Sequence, residues 1–560
     1  MRRSLFSFAA PAACRAFLAA WLVGLLVSSA RPAHGATGNC NPGSFTASVP
    51  AVLHHPQITL IFWGAGWPSP AGSPTAGQIG GAITELTNGP FFSRLAQYRD
   101  EGGPAGIPRV VPGIHIKNDT SPPPTFNTGD IGGMLQTEFT KNTIPRPNSS
   151  VENIYAVILP PGLTHNPIDI PCAGNVVGCH WVATDPNGNR VFFAWVMNNG
   201  TMNVGQSVTS IFSHEIAETI TSPGTNTQLS DPNKSEIGDV CTTCFQSLNA
   251  NLYTVQSYYS VADRRCVAPI GWRGVAQYAG NGNWTLFGGP VRQIVAGGAG
   301  VVATDNTDPP QTWMFTPSAG WKVVLTGSAH GNFSQLAISD TTAYGVAIDQ
   351  GSVWRFFGGT VGVQGWFPLS VFGETGVWAG GQDTVLTMSN KFLFKWDPVA
   401  VNWGTEIAYA PNEVAVNETG VFMLAMNHDT VSQLNADNAT WTKVGPGFAD
   451  IFAGPNLVTG IGFDGYAYNF QPSTATWWQN VPPRYSYASI TAPGLSLPQL
   501  LSQDSSPNGK LYQSTNVFAK LPVQNVEPLT AGRLVGGSNN GLLLATIDPG
   551  CSPTPNATCQ

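Results

Sequence analysis

Gln206-Ser-Val-Thr-Ser-Ile-Phe-Ser-His-Glu-Ile-Ala-Glu-Thr-Ile-Thr-Ser-Pro223 is the stretch that orders the rest of the chain. Val208, Ile211, Phe212, Ile216, Ala217 and Ile220 recur near helical spacing, and Pro223 ends the pattern, so the stretch predicts one amphipathic helix. On it His214 and Glu218 stand at i and i+4, one above the other, with Glu215 about 100° round the axis. This is metal-site geometry. In the pattern H-E-x-x-H the outer residues hold an ion and the Glu between them is the general base. Here Glu218 stands where the second histidine would be.

An ion on His214 and Glu218 needs a third protein ligand, and Glu236-Ile-Gly-Asp239 supplies two carboxylates after a polar turn. The expected set is His214, Glu218 and Glu236 or Asp239, with Glu215 polarising a bound water. The competing reading is a buried polar network that closes the helix onto the loop. Two carboxylates and one imidazole leave the ion less positive than two imidazoles and one carboxylate, so its water should be less acidic. Zinc is the expected ion, and the oxygen-rich set also admits manganese or calcium.

Around this helix the first half reads as α/β or α+β. Gln57 to Trp63, Asn153 to Leu159 and Val191 to Val196 are apolar runs of strand length, and Gln78 to Tyr98 holds a helical period broken at Gly89-Pro90. Strands and helices share one core. A metalloprotease-like domain over residues 36–268 is the expectation.

After 269–274, read as a linker, helical signals vanish and a repeat begins. Trp284, Trp321, Trp366, Trp403, Trp441, Trp478 and Phe518 recur at spacings of 37, 45, 37, 38, 37 and 40. Each unit opens on that aromatic and closes on an aromatic strand such as Trp313-Met-Phe315 or Phe392 to Trp396. Four short strands per unit predict an all-β propeller over 275–550, seven-bladed, or six if Gly541 to Thr546 is itself a closing strand. Val275 to Tyr278 is placed to complete the last blade.

Only 10% of the 560 residues are charged, against about 25% in an average domain, and the net charge of −7 forms no run. That excludes a phosphate-backbone surface, so no nucleic-acid partner is expected. Residues 1–35 read as a secretory signal, and no other run approaches a membrane span, so an exported, monomeric protein free of the membrane is expected. Eight cysteines remain after cleavage: Cys40, Cys172, Cys179, Cys241, Cys244, Cys266, Cys551 and Cys559. An even count in an exported chain implies disulfides, with Cys172 to Cys179 and, in the 551–560 tail, Cys551 to Cys559 as the short local pairs. Cys241-Thr-Thr-Cys244 also has the spacing of a redox or zinc motif.

Phe212 to Pro223 followed by Glu236-Ile-Gly-Asp-Val-Cys241 resembles the EXORDIUM / phosphate-induced protein family, which carries a similar H-E-x-x-E stretch and E-I-x-D-x-C box. Ile61-Phe-Trp-Gly64, Asn153-Ile-Tyr-Ala-Val157 and the Cys172 to His180 box add to the likeness, over about residues 55 to 266. The resemblance implies secretion to the cell wall or extracellular space and a growth-linked role. His180, beside Cys179, is an accessory ligand or acid in this reading. The Trp-led repeat is similar to tectonin-like lectin propellers, which points the second half at a glycan or protein surface. Two functions follow: a secreted metal-dependent hydrolase of peptidase type, or a non-catalytic cell-wall or adhesion protein whose helix is structural.

Overall fold

A computed structural model describes residues 40–547 apart from internal stretches, among them 225–228, 230–235, 491–499 and 515–523. The signal segment, Phe518, Cys551 and Cys559 lie outside the described residues.

The three apolar runs form β1 (Pro56–Trp63), β4 (Glu152–Leu159) and β6 (Arg190–Met197). With β2 (Arg109–Val110), β3 (His115–Lys117) and β5 (Gly178–Thr184) they make a six-stranded sheet. Its order is β2-β1-β4-β6-β5, with β3 also on β1. All pairs are parallel except β5 with β6. Parallel strands need helical crossovers, and the helices cover both faces. On one face Leu60, Ile158 and Ala194 pack with α1 (Ala76–Asn88) and α3 (Val208–Thr221). On the other, Ile61, Val157 and Trp195 pack with α2 (Thr128–Lys141). The helical period expected between Gln78 and Tyr98 stops at Asn88.

The second half is a ring of seven four-stranded antiparallel sheets among the described residues. Neighbouring sheets meet through their innermost strands, from Val291–Gly297 round to Ala531–Gly537 and back. The last sheet takes two strands from each end: Ala531–Gly537 and Leu543–Ile547 are joined by Gly274–Gly280 and Asn283–Gly288. Leu543–Ile547 is therefore a second strand and not a closing one, and the described residues form seven blades. Pairing the two chain ends within one blade holds the ring closed.

Trp284, Trp321, Trp366, Trp403, Trp441 and Trp478 sit on the outermost strands of their sheets, so they end a blade structurally although they open a unit in the sequence. The indoles of Trp321 and Trp441 tie neighbouring blades together. Trp321 Nε1 donates to Phe287 O at 3.2 Å and Trp441 Nε1 to Ile407 O at 2.6 Å, each on the preceding outer strand. In the next blade Trp477 takes this role, donating to Val444 O at 2.9 Å, while Trp478, which kept the sequence rhythm, is 46% exposed. Trp272, in the stretch read as a linker, is buried with Val275, Val291 and Leu544 in the propeller core.

One face of the ring carries the first half of the chain. Ile348 reaches the core under α1, where Gly81 lets the backbones approach. Gln57 on β1 accepts from Asn412 Nδ2 at 3.2 Å and donates to Ala449 O at 3.2 Å. Three ionic links cross the same boundary. Arg292 meets Glu85, Lys391 meets the His115–Glu138 pair, and Arg109 meets both Glu413 (3.2 Å) and Asp450 (2.7 Å).

Two carboxylates share one guanidinium there, so Arg109→Met should leave them facing each other and cost about 3 kcal/mol in urea unfolding. Burial, opposed by Arg109, pushes Glu413 up to about 7. A carboxyl with a raised folded-state pKa makes the native state bind more protons between pH 4.5 and about 7, so its contribution to stability falls as pH rises through that window. Glu413→Gln should flatten this part of the stability profile, and an unchanged slope would remove Glu413 from it.

Candidate metal centre

α3 is buried along nearly its whole length, His214 being its one half-buried residue. Its hydroxyls make that burial tolerable. Ser210, Ser213, Thr219 and Thr221 each donate to a carbonyl three or four residues back, and Thr209 Oγ1 donates to Thr254 O at 2.7 Å. Gln256 N returns a 2.9 Å bond to Ser213 Oγ, which locks α3 to β8 (Tyr253–Gln256), the partner of β7 (Phe245–Leu248).

The helix brings His214 Nε2 to 3.1 Å from Glu218 Oε2. The E-I-G-D loop closes on the same carboxylate, with the amides of Gly238 and Asp239 donating to Glu218 Oε1 at 3.0 and 3.1 Å. Glycine is needed at 238. A Cβ there would fall 2.6 Å from His214 Nδ1 and 2.7 Å from Glu218 Oε1. Asp239 Oδ1 then lies 3.8 Å from His214 Nε2 and opens the cluster to solvent, its side chain being 50% exposed.

From the other side the antiparallel edge strand β5 supplies His180, opposite Ala194 and so on the α3 face of the sheet. Its Nδ1 is 3.3 Å from Glu215 Oε2 and 3.7 Å from Glu218 Oε2, and its Nε2 is 3.6 Å from Glu236 Oε1. Gly178 permits this approach, since a Cβ would meet Glu215 Oε1 at 2.8 Å and Ile211 at 2.4 Å.

All six residues singled out from the sequence, His180, His214, Glu215, Glu218, Glu236 and Asp239, thus converge. Sequence reasoning missed Gln256, whose Nε2 lies 2.6 Å from His214 Nδ1 and donates to Gly238 O at 3.0 Å. Nothing in its own segment marks it. The disulfides brace the same segments: Cys241 pairs with Cys266, Cys244 with Cys40, and Cys172 with Cys179 beside His180. The redox or zinc reading of Cys241 and Cys244 is overturned, because each thiol is joined to a different distant partner.

Four carboxylates face two imidazoles, and among the described residues no lysine or arginine pairs with any of them. Burial works against charge on His214, yet Glu218, Glu215 and Asp239 outweigh it and hold the imidazole at about 10. Burial likewise opposes charge on His180, while hydrogen bonds to Glu215 and Glu236 raise it well above the usual range. Burial pushes Glu218 up to about 7 against the pull of His214. The cluster demands positive charge. Two ligand trios lie within 4.8 Å: His214, Glu218 and Asp239, and His180, Glu215 and Glu218.

No family model matches the chain, and no curated protein does. Among solved structures it is similar to Prp20p of Saccharomyces cerevisiae, at 12% identity over 46% of this chain and 82% of that one, with a TM-score of 0.35. Virginiamycin B lyase of Staphylococcus aureus matches at 11% identity over 45% of this chain and 93% of that one, TM-score 0.32. YCF48 bound to D1 peptide matches at 11% over 49% and 94%, TM-score 0.29. The propeller assignment stands on the strand pairing described above, and the EXORDIUM resemblance on its quoted motifs. Three disulfides belong to a chain folded in an oxidising compartment, as exported proteins are. Among the described residues no helix is long and apolar enough to cross a membrane.

Because the loop closes on Glu218 only where residue 238 lacks a side chain, Gly238→Ala should displace the Glu236 to Asp239 segment. The expected loss is about 2 kcal/mol in thermal or urea unfolding. Wild-type stability in that variant would show that the close approach is not required.

Proposed function

We propose that this is a secreted metal-dependent hydrolase of peptidase type, whose propeller docks on an extracellular glycan or protein surface. The observation that carries the reading is the convergence of His214, Glu218 and Asp239 from a helix and a disulfide-braced loop into one ligand trio. A divalent ion there, zinc by preference, would polarise a peptide carbonyl and acidify a bound water. Manganese or calcium would suit the oxygen-rich set as well.

The chain's own residues divide the remaining work. Glu215 Oε1 lies 3.9 Å from His214 Nε2, which would place its carboxylate to take a proton from water held there. Gln256 Nε2 lies against His214 Nδ1 from behind, which limits how the ring can turn. The half-exposed Asp239 side leaves an approach for an extended peptide. Export agrees with the disulfides and with the EXORDIUM-like motifs.

The second reading, a non-catalytic adhesion or cell-wall recognition protein, is favoured by the charge of the same trio. Two carboxylates on one ion hold back the acidity of its water. Purified protein should contain tightly held metal at the His214 trio, lost in His214→Ala. Glu215→Gln should abolish hydrolysis of a peptide library while the ion on His214 stays. Folded protein with no metal, and with a melting temperature indifferent to zinc, would defeat the hydrolase. Bound metal without activity in the wild type would favour the recognition protein.

A further inference from the structure

The cluster has more ligand atoms than one ion uses, and their directions divide into two sets. Each imidazole has one nitrogen engaged away from the centre and the other turned toward Glu218. His214 Nδ1 lies against Gln256, 2.6 Å away, and its Nε2 is 3.1 Å from Glu218 Oε2. His180 Nε2 lies 3.6 Å from Glu236 Oε1, and its Nδ1 is 3.7 Å from Glu218 Oε2 and 3.3 Å from Glu215 Oε2. Oε1 of Glu218 is occupied by the amides of Gly238 and Asp239. Oε2 is left as the point common to both trios.

We infer that the protein binds two divalent ions bridged by the Glu218 carboxylate, one on His214 and Asp239, the other on His180 and Glu215. The inference rests on the metal reading above and extends it. Paired ions in hydrolytic sites stand about 3.5–4 Å apart, a separation one carboxylate spans. Glu236, its Oε1 3.6 Å from His180 Nε2, then has the part of an outer carboxylate whose charge favours the proton on Nε2 and leaves Nδ1 for the ion. Charge is compatible with the same count: two divalent ions offset the four carboxylates when both imidazoles bind as neutral ligands. Glu215, the base of a one-ion site, becomes a ligand of the second ion.

The test uses the full-length secreted protein, stripped of metal, titrated with manganese(II) and followed by elemental analysis and electron paramagnetic resonance. Two equivalents and the spectrum of an exchange-coupled pair are expected. His180→Asn and His214→Asn should each reduce binding to one equivalent with the spectrum of an isolated ion, circular dichroism confirming that they fold. One equivalent in the wild type, two equivalents without coupling, or two equivalents retained in folded His180→Asn would each overturn the pair while leaving a one-ion hydrolase standing. No manganese and no zinc bound to folded wild type would overturn the pair and the metal reading together.

Discussion

A carboxylate in the middle of a buried helix has to find donors, and Glu218 is that carboxylate here. Leaving it bare would cost several kcal/mol, so the surrounding backbone is arranged to meet it. Two amides of the E-I-G-D loop take one oxygen, which draws Glu236 and Asp239 under α3. The other oxygen faces His214 and His180, and so connects the helix to the edge strand of the sheet. Helix, loop and edge strand are three separate pieces of chain held to one functional group. The two glycines at 178 and 238 matter for the same reason, since any side chain at either would hold one of the pieces away.

Covalent bracing reinforces this closure. Cys241 and Cys244 lie directly after Asp239 and are fixed to Cys266 and Cys40, while Cys179 precedes His180 and is fixed to Cys172. Side chains carried on loops cost entropy to order, and cross-links beside His180 and the Glu236 to Asp239 loop remove much of that freedom in advance.

The propeller is joined to this domain by buried polar links in addition to apolar contact. Glu85 of α1 meets Tyr253 beside α3 with one oxygen and Arg292 of the ring with the other, at 2.7 and 3.3 Å. The same helix therefore packs in one core with α3 and anchors the ring. Buried ionic links of this kind favour one relative placement over others, because any shift leaves a charge unpaired.

The helix of residues 208–221, the central strands and the seven-fold period were legible in the sequence, because each rests on local periodicity that side-chain burial imposes directly. His214 and Glu218 were legible for the same reason: i and i+4 share a helix face whatever the fold. Glu236 and Asp239 were found by nearness in sequence, and His180 through a motif resemblance. Only the tertiary structure could decide the rest. Gln256 reaches the site because β8 packs on α3, and no local pattern records which residue of a strand will face a helix formed forty residues earlier. α2 was not read at all, since its paired glycines and polar residues dilute the apolar period. Trp477 and Trp478 are adjacent, and counting could not tell which one packs. The closure of the ring by two strands from each end, and the choice of Cys40 for Cys244 across 204 residues, depend on which distant segments the fold brings together. Periodicity is a property of neighbours along the chain; pairing across hundreds of residues is set by the whole packed structure.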